Sequence, residues 1–182
     1  LVLQASLAAF ALMISNGTLA FALTLKVEDM GMTSATTGMM LSTYGIVALI
    51  IFLTPLNRIY DRLSAVSLTI LGIIIIGSVH VMLNFIAIYW LNILLMVVYG
   101  VGFAFVFPSM NKIVAEASSK VDRGKAYGIF YAFFSLGAVM GSFVSGATAE
   151  TLGLPFLSSA VTMLTIGFIL IFISKKYHVR TK

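Results

Sequence analysis

No Asp, Glu, Lys or Arg falls deep within any of six long apolar runs that together occupy most of this chain. The runs cover about residues 2–25, 34–56, 65–83, 86–108, 124–149 and 155–174. Each is long enough, at about 1.5 Å of rise per residue, to cross a hydrocarbon layer roughly 30 Å thick as a helix. Helix is the form such a run must take in lipid, because no water is there to satisfy an open backbone. Apolar residues make up 60% of the chain and charged residues 9%, against roughly 45–50% and about 25% in soluble domains. Charge this scarce cannot wet the outer faces of soluble helices, and the mean hydropathy of +1.10 agrees. The expected fold is an all-α membrane protein with six transmembrane helices.

Charge also orients the chain. With the runs marked, ten of the eleven Lys and Arg residues fall on one side: Arg58, Arg62, Lys112, Lys120, Arg123, Lys125, Lys175, Lys176, Arg180 and Lys182. Only Lys26, beside Glu28 and Asp29, falls on the other. Basic residues near membrane crossings resist translocation, so the basic side is expected to be cytoplasmic, with both termini inside. The expected location is the cytoplasmic membrane of a prokaryotic cell, with residues 175–182 forming a basic cytoplasmic tail. Tyr89 and Trp90, at the outer end of the fourth run, suit an interfacial aromatic belt.

The same distribution excludes other classes. The pI near 9.6 arises from short basic clusters between apolar runs, not from a basic helix or an aromatic-bearing sheet, so no nucleic-acid partner is expected. With no Cys in the chain, thiol nucleophiles and Cys-ligated metals are ruled out. A glycine-rich phosphate loop, an H-E-x-x-H pair and a convergent Ser/His/Asp set are all missing from the sequence. Neither an enzyme nor a cofactor or metal site is expected. The chain begins at Leu1 inside an apolar run too long for a signal peptide. A lost native start, or membership in something longer, is the expectation there.

Connections add a pattern. A polar external loop, about 26–33, follows the first run, and the longest cytoplasmic loop, about 109–123, follows the fourth. The six runs thus divide into two triplets of opposite orientation, about 1–84 and 85–176, as inverted-topology repeats of secondary transporters do.

Short motifs occur in order along these runs. Asn57-Arg58-Ile59-Tyr60-Asp61-Arg62-Leu63-Ser64 joins the second and third. Its Asp61-Arg62 pair resembles the centre of the major facilitator superfamily loop signature G-x-x-x-D-R-x-G-R-K. Asn57 and Ser64 replace its glycines, and Ala65 and Val66 its basic pair. Arg123-Gly124-Lys125-Ala126-Tyr127-Gly128 is similar to the R-G-x-a-x-G start of the family's fifth or eleventh helix. Gly137-x-x-x-Gly141, continuing to Gly146, resembles the glycine-rich antiporter motif, with Ser142 where its Pro belongs. Tyr99-Gly100-Val101-Gly102 resembles the fourth-helix Q-G-x-G, with Met96 in place of the Arg.

The decayed loop copy best fits the C-terminal half of that family, helices seven to twelve. The resemblance implies half of a major facilitator fold, with the first, second, fourth and fifth helices bordering a central cavity. Asn16, Tyr44, Tyr99, Phe103 and Tyr131 are then the candidate substrate-binding residues. Asp61, Arg62 and Arg123 are the candidate gating residues, with Asp61 capping a helix N-terminus or pairing with a basic neighbour. Gly137, Gly141 and Gly146 are candidate helix-packing residues. His80 is read as interfacial, near the outer end of the third run. With no carboxylate inside the runs, a proton carrier for coupled transport is expected in a partner half.

The expected function is secondary active transport of a small solute by alternating access, with drug or metabolite efflux leading. An uptake permease for a sugar, nucleoside or organic anion is one alternative; a non-transporting membrane interaction module is another. The expected partners are a small-molecule substrate, the lipid bilayer, and a second six-helix half supplied by lost upstream sequence, another subunit or a self-copy.

Overall fold

Six helices long and apolar enough to cross a membrane dominate the computed structural model of the chain. They are α1 (Val2–Asp29), α2 (Ser34–Leu53), α4 (Ala65–Phe85), α5 (Tyr89–Ala117), α6 (Arg123–Leu152) and α7 (Leu157–Arg180). A 3₁₀ turn (Pro55–Arg58) and the one-turn α3 (Ile59–Arg62) fill the link between α2 and α4. The structure describes the backbone over residues 1–180 and the side chains through residue 174. The side chains of the expected basic tail, Lys175, Lys176, Arg180 and Lys182 among them, lie outside the described residues.

Helix ends fall where backbone chemistry puts them, and several differ from the sequence expectation. The expected polar loop over 26–33 shrinks to its last four residues, because α1 continues through Asp29 until Gly31 adopts φ 72°. Lys26 is therefore a helical residue. The second span stops at Leu53, not residue 56, since Thr54 precedes Pro55 and is forced to extended backbone (φ −105°, ψ 169°). Gly153, at φ 65°, closes α6 in the left-handed conformation, and α7 starts at Leu157, two residues after Pro155. Ser64, which stands at a family glycine, caps α4 by accepting the Ser67 backbone N–H at 3.1 Å.

The most extensive packing joins α1 to α6, followed by α4 to α5, α2 to α5 and α4 to α7. Lipid supplies little apolar driving force between helices, so close backbone approach through small residues carries much of this association. Gly137 and Gly141 of α6 sit directly on the Phe10 and Ile14 carbonyls of α1. Gly17 of α1 returns the fit, since a β-carbon there would lie 2.5 Å from the Ala138 carbonyl oxygen. Gly146 is looser: its β-carbon would meet only the Phe21 ring, at 3.5 Å.

Candidate functional site

Four residues, Ser15-Asn16-Gly17-Thr18, interrupt the apolar surface of α1 near its midpoint. The fold divides them between two neighbours. Ser15 and Asn16 turn to α5, where Tyr99 donates its hydroxyl to Asn16 Oδ1 at 2.8 Å. Ser15 Oγ, also 2.8 Å away, then donates to the same phenol oxygen. Thr18 turns to α6 and donates to the Gly141 carbonyl at 3.2 Å, while Ser142 Oγ donates back to the Gly17 carbonyl at 3.0 Å. The polar break thus fixes α1 against both partners. Interhelical hydrogen bonds of this kind contribute about 0.6 kcal/mol each on average, up to about 1.7.

Tyr99 is the fully buried centre of the first group. Its ring meets Tyr44 of α2 edge-on at 5.1 Å, and Phe103 lies 5.6 Å from Tyr44. Phe103 in turn stacks on Phe107 at 5.5 Å, extending an aromatic wall along α5. Asn16, Tyr44 and Phe103 are partly exposed, so the group has both a buried root and an accessible face. The structure therefore brings Asn16, Tyr44, Tyr99 and Phe103 together. Tyr131 is not among them: it is exposed on α6 and pairs with Tyr127, Phe130 and Phe134.

Glycine makes the group possible. A β-carbon on Gly100 would meet the Tyr44 carbonyl at 2.7 Å, so α2 rests on bare α5 backbone there. One on Gly102, facing α4, would meet Ile76 at 2.8 Å and the Gly72 carbonyl at 3.1 Å. The two glycines of the Tyr99-Gly100-Val101-Gly102 motif thus serve opposite neighbours.

His80 corrects its sequence reading. It lies near the end of α4, as read, but is completely buried within the bundle, with Nδ1 2.9 Å from Ser159 Oγ of α7. Its ring lies 5.8 Å from both Tyr99 and Phe156. Hydropathy placed it near a span end, but the close α4–α7 contact encloses that turn. Ser159 was missed because an isolated Ser in an apolar run carries no distinguishing pattern. Among the described residues, the buried polar side chains include no Asp, Glu, Lys or Arg.

At the end of the bundle that carries α3, Asp61 and Arg62 are exposed. Asp61 makes no ion pair among the described residues, where Lys112–Glu116 at 3.9 Å is the one found. Arg123, at the start of α6, donates to the Ala115 carbonyl near the end of α5 at 3.4 Å. Tyr127 adds a second link, donating to the Asn111 carbonyl at 3.4 Å. The opposite end holds a cleft of about 650 Å³, lined by Lys26, Asn84, Glu150 and Phe156 among others.

No group of three or more His, Cys, Asp or Glu residues able to hold a metal ion occurs among the described residues. No curated protein matches the chain. The Major Facilitator Superfamily family model matches residues 5–182, and with that coverage the chain belongs to this superfamily of membrane transporters.

Proposed function

We propose that the chain forms one six-helix half of a secondary transporter that moves a small solute by alternating access. The observation that carries this reading is the Ser15–Tyr99–Asn16 network, near the middle of α1, with Tyr44 and Phe103 beside it. It offers hydrogen-bonding and aromatic surface at mid-depth without a fixed charge, which suits a neutral or lipophilic solute. Asn16, Tyr44 and Phe103 supply its accessible face, with Tyr99 behind them; Tyr131, exposed on α6, lies outside the group.

Helix packing supports an inverted repeat. The first helix of the leading triplet, α1, packs on the middle helix of the other, α6; likewise α5 packs on α2. Such an exchange is what a two-fold axis in the membrane plane produces. The second six-helix half completes the cavity, and Asp61, Arg62 and Arg123 belong to the cytoplasmic face that closes against it. Efflux of a drug or metabolite is the favoured direction, supported by the Gly137–Gly141 strip and its likeness to antiporters. Proton coupling, where present, falls to the partner half, since no acidic side chain is buried among the described residues.

Substrate-dependent flux in proteoliposomes tests this, comparing the chain alone with the chain joined to a second half. Flux only from the joined form is expected. Its absence from both, across lipophilic drugs, metabolites, sugars and nucleosides, would sink the proposal.

A further inference from the structure

The cleft at the Lys26 end has a floor with more donors than acceptors. Lys26 donates its ammonium to the Leu83 carbonyl, in the last turn of α4, where carbonyls lack helical donors. The same ammonium stands over the Phe156 ring, 5.7 Å from its centroid. Asn84 Oδ1 accepts the Phe156 backbone N–H at 3.3 Å, which fixes the orientation of its amide. Its Nδ2 is buried without an acceptor. An ammonium has three donors, and the Leu83 carbonyl takes one. The Lys26 ammonium thus has donors to spare, and the Asn84 amide holds a buried donor with no partner among the described residues.

The mouth has the opposite character. Asp29 and Glu150 both line the cleft and are exposed. Neither lies within ion-pair distance of Lys26. Between floor and mouth, Phe21 and Phe85 give apolar walls. A simple anion would satisfy the floor but meet two carboxylates on the way in. A simple cation would suit the mouth but face Lys26 inside.

We propose that this cleft binds a zwitterion, its carboxylate or phosphate oxygen on Lys26 and Asn84 and its ammonium against Asp29 and Glu150. The chemistry is common to soluble zwitterions and to zwitterionic lipid headgroups. The site stands apart from the Tyr99 group and does not depend on the transport reading.

Binding to the purified full chain in detergent tests it, read by native mass spectrometry and by thermal shift. The probes are glycerophosphoethanolamine, phosphatidylethanolamine and phosphatidylglycerol. Binding of glycerophosphoethanolamine supports a site open to soluble zwitterions. Binding of phosphatidylethanolamine alone supports a lipid headgroup site. Equal or tighter binding of phosphatidylglycerol overturns the proposal, as does binding of none. Asn84→Asp keeps the acceptor for the Phe156 N–H while replacing the free donor with a carboxylate. Glu150→Gln removes an exposed charge at the mouth and leaves the packing alone. Each is expected to weaken zwitterion binding at least fivefold. Unchanged affinity in Glu150→Gln refutes the assignment even if Asn84→Asp fails to fold.

Discussion

The Tyr60 hydroxyl donates to the Ala104 carbonyl at 2.7 Å, and Ala104 is the residue whose helical partner Pro108 removes. In an uninterrupted helix the N–H four residues on would fill that carbonyl, but proline has none. A phenol on α3, one residue before Asp61, takes its place. The loop signature and the proline of α5 are thus joined by one hydrogen bond.

Removing only that hydroxyl isolates the relationship. Tyr60→Phe leaves the Ala104 carbonyl unpaired beside a fully buried residue, at a cost of about 1–3 kcal/mol. Pro108→Ala restores the helical N–H, so Tyr60→Phe is expected to cost much less in that background. Chemical or thermal melting of the four proteins in detergent gives the cycle. Equal cost in both backgrounds would show that Tyr60 acts elsewhere.

The same phenol has a pH signature. Burial pushes the Tyr60 hydroxyl up to about 12 from its ordinary value of 10. The neutral form is the one the fold favours, so its stabilising contribution is complete below about pH 10 and fades as pH rises towards 12. Ultraviolet difference titration of wild type against Tyr60→Phe should show one tyrosine ionising near the upper value. A missing component that titrates at 10 would mean the hydroxyl is solvated.

The glycines of α6 should separate by their neighbours. Gly141→Ala drives a methyl into the Ile14 backbone, and overpacking of this kind costs roughly 1–3 kcal/mol. Gly146→Ala adds a methyl at ordinary contact with Phe21 and should leave the melting temperature nearly unchanged. Comparable losses from both would contradict the close α1–α6 approach at Gly141.

Six spans and their order were legible because lipid imposes one rule on every residue of a run. The Gly137-x-x-x-Gly141 spacing was legible for a similar reason: small residues four apart share a helix face. What the sequence could not show was the partner of each polar residue. Ser15 to Thr18 appeared as one polar break, although two go to α5 and the others to α6. The burial of His80 was hidden because hydropathy measures depth along a helix and says nothing of which neighbour covers it. The Tyr60 bond needed both a proline and a tyrosine 48 positions earlier, and no local pattern relates them.

Asp61 offers a test of gating without a risk to the fold, since it is exposed and outside any described ion pair. Asp61→Asn should leave the stability within about 0.5 kcal/mol of wild type, as surface changes usually do. In the transporter with its second half, accessibility of the two faces to labelling reagents should nevertheless shift. Unchanged labelling of both faces would leave Asp61 as a solvated turn residue.

Asn16 and Tyr99 share a hydrogen bond but should fail in different ways. Tyr99→Phe keeps the ring against Tyr44 and His80 while stripping both Ser15 and Asn16 of their common partner. Bonds of this type carry about 0.6–1.7 kcal/mol each in membranes, so the expected loss is about 1–3 kcal/mol of stability. Asn16→Ala removes one bond and part of the accessible polar face, so its stability loss should be smaller. Its transport defect should be larger, appearing as a raised KM with kcat little changed, the pattern of binding lost equally before and during the rate-limiting step. Melting in detergent and initial-rate flux from the joined halves give the two readings. An Asn16→Ala protein with wild-type KM would remove Asn16 from the substrate wall and leave the pair a purely structural tie between α1 and α5.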